Sequence, residues 1–331
     1  MHPTFHLGPL DFPAYFTFLT FGYLIVVMLA WRESFKVEGV DPNKLLDLSI
    51  VVLIAGLLGA RIMHVLADGY FQDYVNLCLD PLLVKGKLLR GAIPCVSDGQ
   101  CVAAKIGELC NIDAGTCHQG RDCFRAIKIW YGGLAFYGGL LLAWPVGAWY
   151  IRRHKERIDF WKMADLAGFG IAGGLVFGRL GCWFSGCCFG HVSHGPFSVV
   201  FPKGSPAWDR HLDLHLITKT ATGPLPVIPT QMVHVISNLL VFLTCYGLFK
   251  LWRGRKDGQI FWVFMFLYAI SRFVIEYWRD DYRGVWLGGS LSSSQLIAVP
   301  VALAAGALFF YQRRIFGKGS PAPSPTPAED K

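Results

Sequence analysis

Seven stretches of the chain are apolar for long enough to cross, as helices, a hydrocarbon core of about 30 Å. They lie near residues 13–31, 47–67, 129–151, 164–184, 231–251, 259–277 and 293–312. Only 16% of the 331 residues are charged and 53% are hydrophobic, against about 25% charged in ordinary soluble domains. The expected fold is therefore all-α, a polytopic integral membrane protein with seven transmembrane helices. The first window reads as a membrane span and not a cleaved leader, because no basic stretch precedes it and no small-x-small cleavage pattern follows it.

Lys and Arg are distributed unevenly over the connections. Arg32, Lys36 and Lys44 follow the first span, and Arg152, Arg153, Lys155, Arg157 and Lys162 follow the third. Lys250, Arg253, Arg255 and Lys256 follow the fifth, and Arg313, Arg314 and Lys318 follow the seventh. Basic connections face the cytoplasm, so the expected topology has the N-terminus outside and the C-terminus inside. The net charge of +8 then reports topology and anionic headgroups, with no nucleic acid implied. The organisation expected is spans one and two over 1–67, a Cys-rich insertion over 68–128, spans three to seven over 129–312 with an outside loop at about 186–228, and a Pro-rich cytoplasmic tail over 313–331.

Six of the ten cysteines, Cys78, Cys95, Cys101, Cys110, Cys117 and Cys123, fall in the 68–128 connection, which the charge pattern puts outside. An oxidising compartment and an even count point to disulfides. Six cysteines allow 15 pairings, and no C-x-x-C pair suggests zinc there.

Ionisable residues inside spans are costly and face a cavity or a partner. In the sixth span Tyr268, Arg272 and Glu276 recur every four residues and Arg279 follows three later, so the four share one helix face. An Arg272–Glu276 pair that only packs helices is the plainer reading. The fourth span carries Arg179 beyond Gly170, Gly174 and Gly178, whose four-residue spacing suggests close helix contact. With Arg61 of the second span, these arginines are expected at one depth, where guanidinium forks suit a lipid phosphate. The third span begins WYGGLAFYGGLL, whose glycine pairs read either as packing or as a break exposing Tyr131 and Tyr137 to a cavity.

These segments resemble the prolipoprotein diacylglyceryl transferase family. PAYFTFLTFGY looks like its first span, with Tyr15 on a functional tyrosine, and GARIMHVL looks like the end of its second. WYGGLAFYGGLL is similar to its third span, GRLGCWFSGCCFG to its signature, IPTQ to the opening of its fifth, YAISRFVIEYWRDD to its sixth and SSSQLIAVP to the start of its last. The resemblance implies an enzyme of the bacterial inner membrane. It would move the diacylglyceryl group of phosphatidylglycerol onto the lipobox cysteine of a preprolipoprotein, with no cofactor and no metal. It places Arg179, Arg272, Tyr137, Glu276 and Tyr268 on catalytic positions, and Tyr15, Arg61, Cys182, Cys187, Gly190 and Arg279 on substrate-binding ones.

The chain departs from that pattern where the family's better-known members carry histidine, asparagine and glutamate. Here the three positions hold Tyr137, Cys182 and Cys187. Four readings of Cys182, Cys187 and Cys188 stand open: structural disulfides, a transfer thiol, metal ligands together with His191, or simple packing. Binding of anionic lipid without transfer, or thiol redox or metal chemistry, are the rival functions. For transfer, Arg179 and Arg272 would neutralise the departing phosphate. A base is also needed, and an unperturbed tyrosine with pKa near 10 is a poor one. Glu276 is open to capture by Arg272, and His64 and His191 are the other candidates.

Overall fold

The computed structural model describes residues 4–7, 10–67, 70–84, 95–103, 107–128, 134–218, 220–280, 285–286 and 291–315. Among these, six helices are long and apolar enough to span a membrane: α1 (Ala14–Ser34), α2 (Pro42–Ala67), α6 (Phe160–Ser185), α8 (Thr230–Leu251), α9 (Gln259–Ile275, continued by a 3₁₀ turn through Trp278) and α10 (Ser293–Ile315). The chain folds as two units, residues 1–45 with 156–331, and residues 46–155.

In the first unit α6 is the central helix, packed on α1, α8 and α9, while α10 lies against α9. Its sequence explains this place, because α6 is rich in glycine and alanine and so lets neighbouring backbones approach. A Cβ on Gly168 would stand 3.1 Å from Phe261 Cα, one on Gly173 3.0 Å from Val26, and one on Gly181 3.1 Å from Tyr15 Cα. This corrects the expected packing face. Gly170 and Gly178 meet nothing among the described residues, and Gly174 makes only ordinary contact with Val26. The outward faces stay apolar, with Phe21, Leu24 and Met28 of α1 and Leu240 and Leu243 of α8 exposed, as helices set in lipid require.

Two buried acids tie the helices together at the other end of α6 and α1 from the signature. The cap residue of α9 is Gly258, at φ +86°, which has no side-chain acceptor for the orphan N–H groups of the first turn. Asp165 of α6 replaces it, accepting from Gly258 N at 2.9 Å, Ile260 N at 2.9 Å and Phe261 N at 3.1 Å. Glu33 of α1 accepts from Lys250 Nζ at 2.5 Å and Tyr246 Oη at 3.1 Å, both on α8.

The second unit holds most of α2, then α3 (Phe71–Leu79), α4 (Asp98–Ala103), the hairpin β1 (Leu109–Asn111) with β2 (Thr116–His118), and α5 (Phe136–Arg153). All six cysteines of the connection are paired, Cys78 with Cys123, Cys95 with Cys110 and Cys101 with Cys117. The last four form a small buried core of their own.

The third expected span is the one that differs. Instead of starting near 129, α5 starts at Phe136 and is 18 residues long, about 27 Å, with Pro145 inside it. Ala135 before it is extended, and its N–H donates to Ala60 O at 3.0 Å. The second glycine pair serves packing: Gly59 and Gly138 face one another so closely that neither has room for a Cβ. Residues 129–133, Tyr131 among them, lie outside the described residues, as do the side chain of Tyr137 and the tail 316–331.

Candidate functional site

The signature runs from the last turns of α6 into the turn beyond it. Gly186, at φ +70°, caps the helix in the left-handed conformation, and its N–H reaches Trp183 O at 3.3 Å. Two residues on, Cys188 takes φ +63°, unusual for a residue with a side chain. What holds this turn is the IPTQ segment at the start of α8. Gln231 donates from Nε2 to the Cys187 carbonyl at 2.8 Å, and Thr230 donates from Oγ1 to the Cys188 carbonyl at 2.7 Å. Both side chains are wholly buried, so the two buried carbonyls each gain a partner.

Gly190 follows, bridged antiparallel to Arg279. Its N–H donates to Ile228 O at 2.9 Å, and His191 N–H donates to Trp278 O at 3.0 Å. The crossing leaves no space for a side chain, because a Cβ on Gly190 would overlap the Trp278 carbonyl oxygen and stand 2.8 Å from Thr230 Cγ2. Three segments, the signature loop, the start of α8 and the end of the sixth span, are thereby fixed against each other. The loop beyond is held by its own apolar cluster of Phe189, Phe201, Ala207 and Val227, beside α7 (Pro206–Asp213).

At this junction the arginines meet. Arg272 Nη1 lies 3.2 Å and Arg279 Nη1 lies 3.4 Å from the same atom, Nε2 of His234 on α8. Both guanidiniums can only donate, so Nε2 accepts and the ring proton sits on Nδ1. Arg272 Nη2 also donates to Ser294 Oγ of α10 at 3.0 Å and pairs with Glu276 Oε2 at 2.9 Å. Arg279 Nε reaches the same carboxylate oxygen at 3.8 Å. All four groups are at least nine-tenths buried. Arg179, half-buried on α6, lies within electrostatic range of His234, as do Arg272 and Arg279. No acceptor among the described residues pairs with it.

The cysteines adjoin this cluster. Cys182, Cys187 and Cys188 are free thiols, and their three Sγ atoms lie within 4.8 Å of one another. The disulfide reading for these three is thus corrected; every cysteine of the 68–128 connection is already paired within that connection. The Cys188 thiol is pushed well below its usual range, first by hydrogen bonds from the Cys182 and Cys187 thiols and then by Arg279 and Arg179, with burial opposing. Of the three it is the thiol most readily ionised.

Of the residues expected from sequence, the structure gathers Arg179, Arg272, Glu276, Arg279, Cys182, Cys187, Gly190 and Tyr15 in the first unit. Tyr15 opens α1 against Gly181, within electrostatic range of Arg179 and the three thiols. Tyr268 stacks on Phe264 with ring centroids 5.8 Å apart, two turns before Glu276 on the same helix. Arg61 belongs to the second unit, where it donates to the carbonyls of Ala126 and Arg125, each at 2.6 Å, and lies over the Tyr74 ring. His64 lies against Tyr70 in a tilted ring contact and His191 faces Asp280 at 3.5 Å. His234 was not expected. Its signal was present, since Gln231, His234 and Asn238 make a polar stripe at helical spacing in an otherwise apolar span.

In chemical terms this is a largely buried, net-positive site: three guanidiniums stand against one carboxylate and one readily ionised thiol. A buried surplus of charge calls for an anion, and planar forks favour phosphate or carboxylate.

Comparison with known proteins bears on which anion. The profile of the family described as "Prolipoprotein diacylglyceryl transferase" matches residues 3–85 and 99–311. "Phosphatidylglycerol--prolipoprotein diacylglyceryl transferase 2" of Clostridium perfringens is 25% identical over 304 residues, 89% of this chain and 89% of that protein. The enzyme of the same name, without the numeral, from Corynebacterium diphtheriae is 27% identical over 93% of this chain and 91% of its own. That of Geobacter sulfurreducens is 30% identical over 54% of this chain and 61% of its own.

Proposed function

Because the chain belongs to the prolipoprotein diacylglyceryl transferase family, we propose that its arginine cluster carries out the transfer for which those relatives are named. The diacylglyceryl group of phosphatidylglycerol passes to the lipobox cysteine thiol of a preprolipoprotein. The thiol loses its proton, a carbon–sulfur bond forms at the glyceryl carbon, and that carbon's bond to the phosphate oxygen breaks. Glycerol phosphate departs with the bonding electrons.

The observation that carries this reading is the gathering of Arg272 and Arg279 on one neutral nitrogen of His234, with Arg179 in range and no acceptor of its own among the described residues. A carboxylate in the place of His234 would hold the two guanidiniums but cancel their charge. An imidazole lone pair holds them and leaves the charge for a headgroup phosphate. His234 is thus a positioning residue, and Glu276, engaged by both arginines, is another. Arg179, Arg272 and Arg279 are the catalytic residues, neutralising the charge that grows on the departing phosphate. The same positive field favours the thiolate form of the incoming acceptor, so proton removal needs no strongly basic side chain. Tyr15, Tyr137 and Tyr268 orient the lipid in this reading.

The membrane setting follows from the six apolar helices. We place the chain in the bacterial inner membrane with its N-terminus and the disulfide-bearing 68–128 segment outside and its C-terminus in the cytoplasm. The basic connections support that direction.

The test is transfer by the purified full-length chain from phosphatidylglycerol in mixed micelles to a synthetic lipobox peptide, read as the mass gain of one diacylglyceryl group. Phosphatidylglycerol binding with no transfer to any lipobox peptide would sink the transferase reading and leave an anionic-lipid-binding protein.

A further inference from the structure

Cys182, Cys187 and Cys188 play no part in phosphate binding as derived above, yet their three Sγ atoms converge to within 4.8 Å. We propose that they form a three-sulfur site for one soft monovalent ion, Cu(I). Metal–sulfur bonds of about 2.3 Å in a trigonal plane place sulfurs about 4.0 Å apart, so the cluster needs only to contract by several tenths of an ångström.

Adjacent cysteines usually oppose such a site, because consecutive side chains of an extended segment point to opposite sides. Here the left-handed backbone of Cys188 removes that obstacle, and Gln231 and Thr230 fix the carbonyls of Cys187 and Cys188. Cys182 comes from the last turn of α6, so two rigid segments supply the ligands. Thiolates select Cu(I) among the biological metals that accept three sulfurs, whereas zinc in structural sites takes four ligands.

Charge favours the same ion. On loading, the remaining S–H protons leave to solvent, and three thiolates around a monocation carry two negative charges. Arg179 and Arg279, both within electrostatic range of Cys188, offset them. No electron is transferred and no bond among the sulfurs forms.

The full-length chain, purified in detergent without reductant so that its disulfides persist, is loaded anaerobically with Cu(I) as its acetonitrile complex and challenged with a bathocuproine competitor. The expected result is one retained copper per chain, an X-ray absorption edge and fine structure of three sulfurs, and loss of retention in both Cys187→Ser and Cys188→Ser. Cys245→Ser keeps it. Independently of any variant, bound Cu(I) should shield three of the four free thiols of the native chain from maleimide. Equal alkylation with and without copper, a disulfide among the three in the untreated chain, or preferential retention of Zn(II) would each overturn the proposal.

Discussion

The Nε2 atom of His234 lies 3.2 Å from the Arg272 guanidinium, an acceptor without charge holding a cation inside an apolar bundle. Arg279 approaches the same atom at 3.4 Å, so one imidazole keeps two like charges in register. Replacing it with alanine removes hydrogen bonds to charged groups, each of about 1.5–3 kcal/mol. Transfer by His234→Ala should fall by about tenfold or more, while His234→Gln, which keeps a neutral acceptor, recovers part of it. Steady-state kinetics on both variants checks this. Equal loss in the two would show that the ring does more than accept.

For Arg179 and Arg272 the discriminating change is to lysine, which keeps the charge and removes the planar fork. Each variant should bind phosphatidylglycerol vesicles about tenfold more weakly, the scale of one lost charge-assisted hydrogen bond. Unchanged binding in both would leave these arginines a structural role only.

Tyr137 stands where better-known members of the family carry histidine. If the arginine field is what ionises the acceptor thiol, Tyr137→Phe retains measurable transfer. Tyr137→His does not abolish it, and raises it if an imidazole of pKa near 6.5 serves as base there. Abolition in Tyr137→Phe with lipid binding intact would make the hydroxyl a direct participant.

Gly190 has no space for a methyl group against Trp278, Thr230 and Ile228. Gly190→Ala should lower stability by about 1–3 kcal/mol, the usual cost of overpacking. Because Gly190 is bridged to Arg279, transfer should fall with it. Thermal unfolding of the detergent-solubilised variant reads the first effect. A variant as stable and as active as the parent contradicts the geometry.

His211, buried under the signature loop, accepts from Leu225 N–H at 3.1 Å through Nδ1. Burial holds its pKa below the ordinary value, with Asp280 opposing and Arg210 reinforcing. A depressed folded pKa means that the unfolded chain takes up the proton first as pH falls. The loop is therefore at full stability above about 6.5 and loses it as pH drops toward the folded value. Limited proteolysis of the loop between about pH 7.5 and about pH 5.5 should accelerate, and His211→Gln should flatten the trend. A slope unaltered by the substitution would assign it to another group.

Much of this architecture is written in local patterns. The charged stripe of the sixth span comes from spacing, the expectation of disulfides in the 68–128 connection from count and the signature from the family resemblance, and the structure brings Arg272, Glu276 and Arg279 together as that spacing implies. What spacing does not say is which face meets a neighbour. Gly170, Gly174 and Gly178 repeat more regularly than Gly168, Gly173 and Gly181, yet only the second set meets its neighbours closely, and of the first only Gly174 reaches one, in ordinary contact with Val26. Arg61 shows the same limit, since its partners are two carbonyls more than sixty positions along the chain. His234 was hidden by the opposite cause. The stripe of Gln231, His234 and Asn238 marks a polar face, but not which of the three meets the arginines until their helix is seen beside it.

The connectivity of the cysteines has a consequence for how the protein is made. They emerge from the ribosome in the order 78, 95, 101, 110, 117, 123, and an oxidase that joins thiols as they appear would link neighbours. None of the native bonds joins neighbours: Cys95–Cys110 and Cys101–Cys117 interleave, and Cys78–Cys123 encloses both. Where oxidation runs ahead of folding, maturation therefore passes through exchange between wrong partners, by thiolate attack on a formed bond. A cell that oxidises thiols but lacks an isomerase should accumulate this chain inserted in the membrane with a scrambled 68–128 segment.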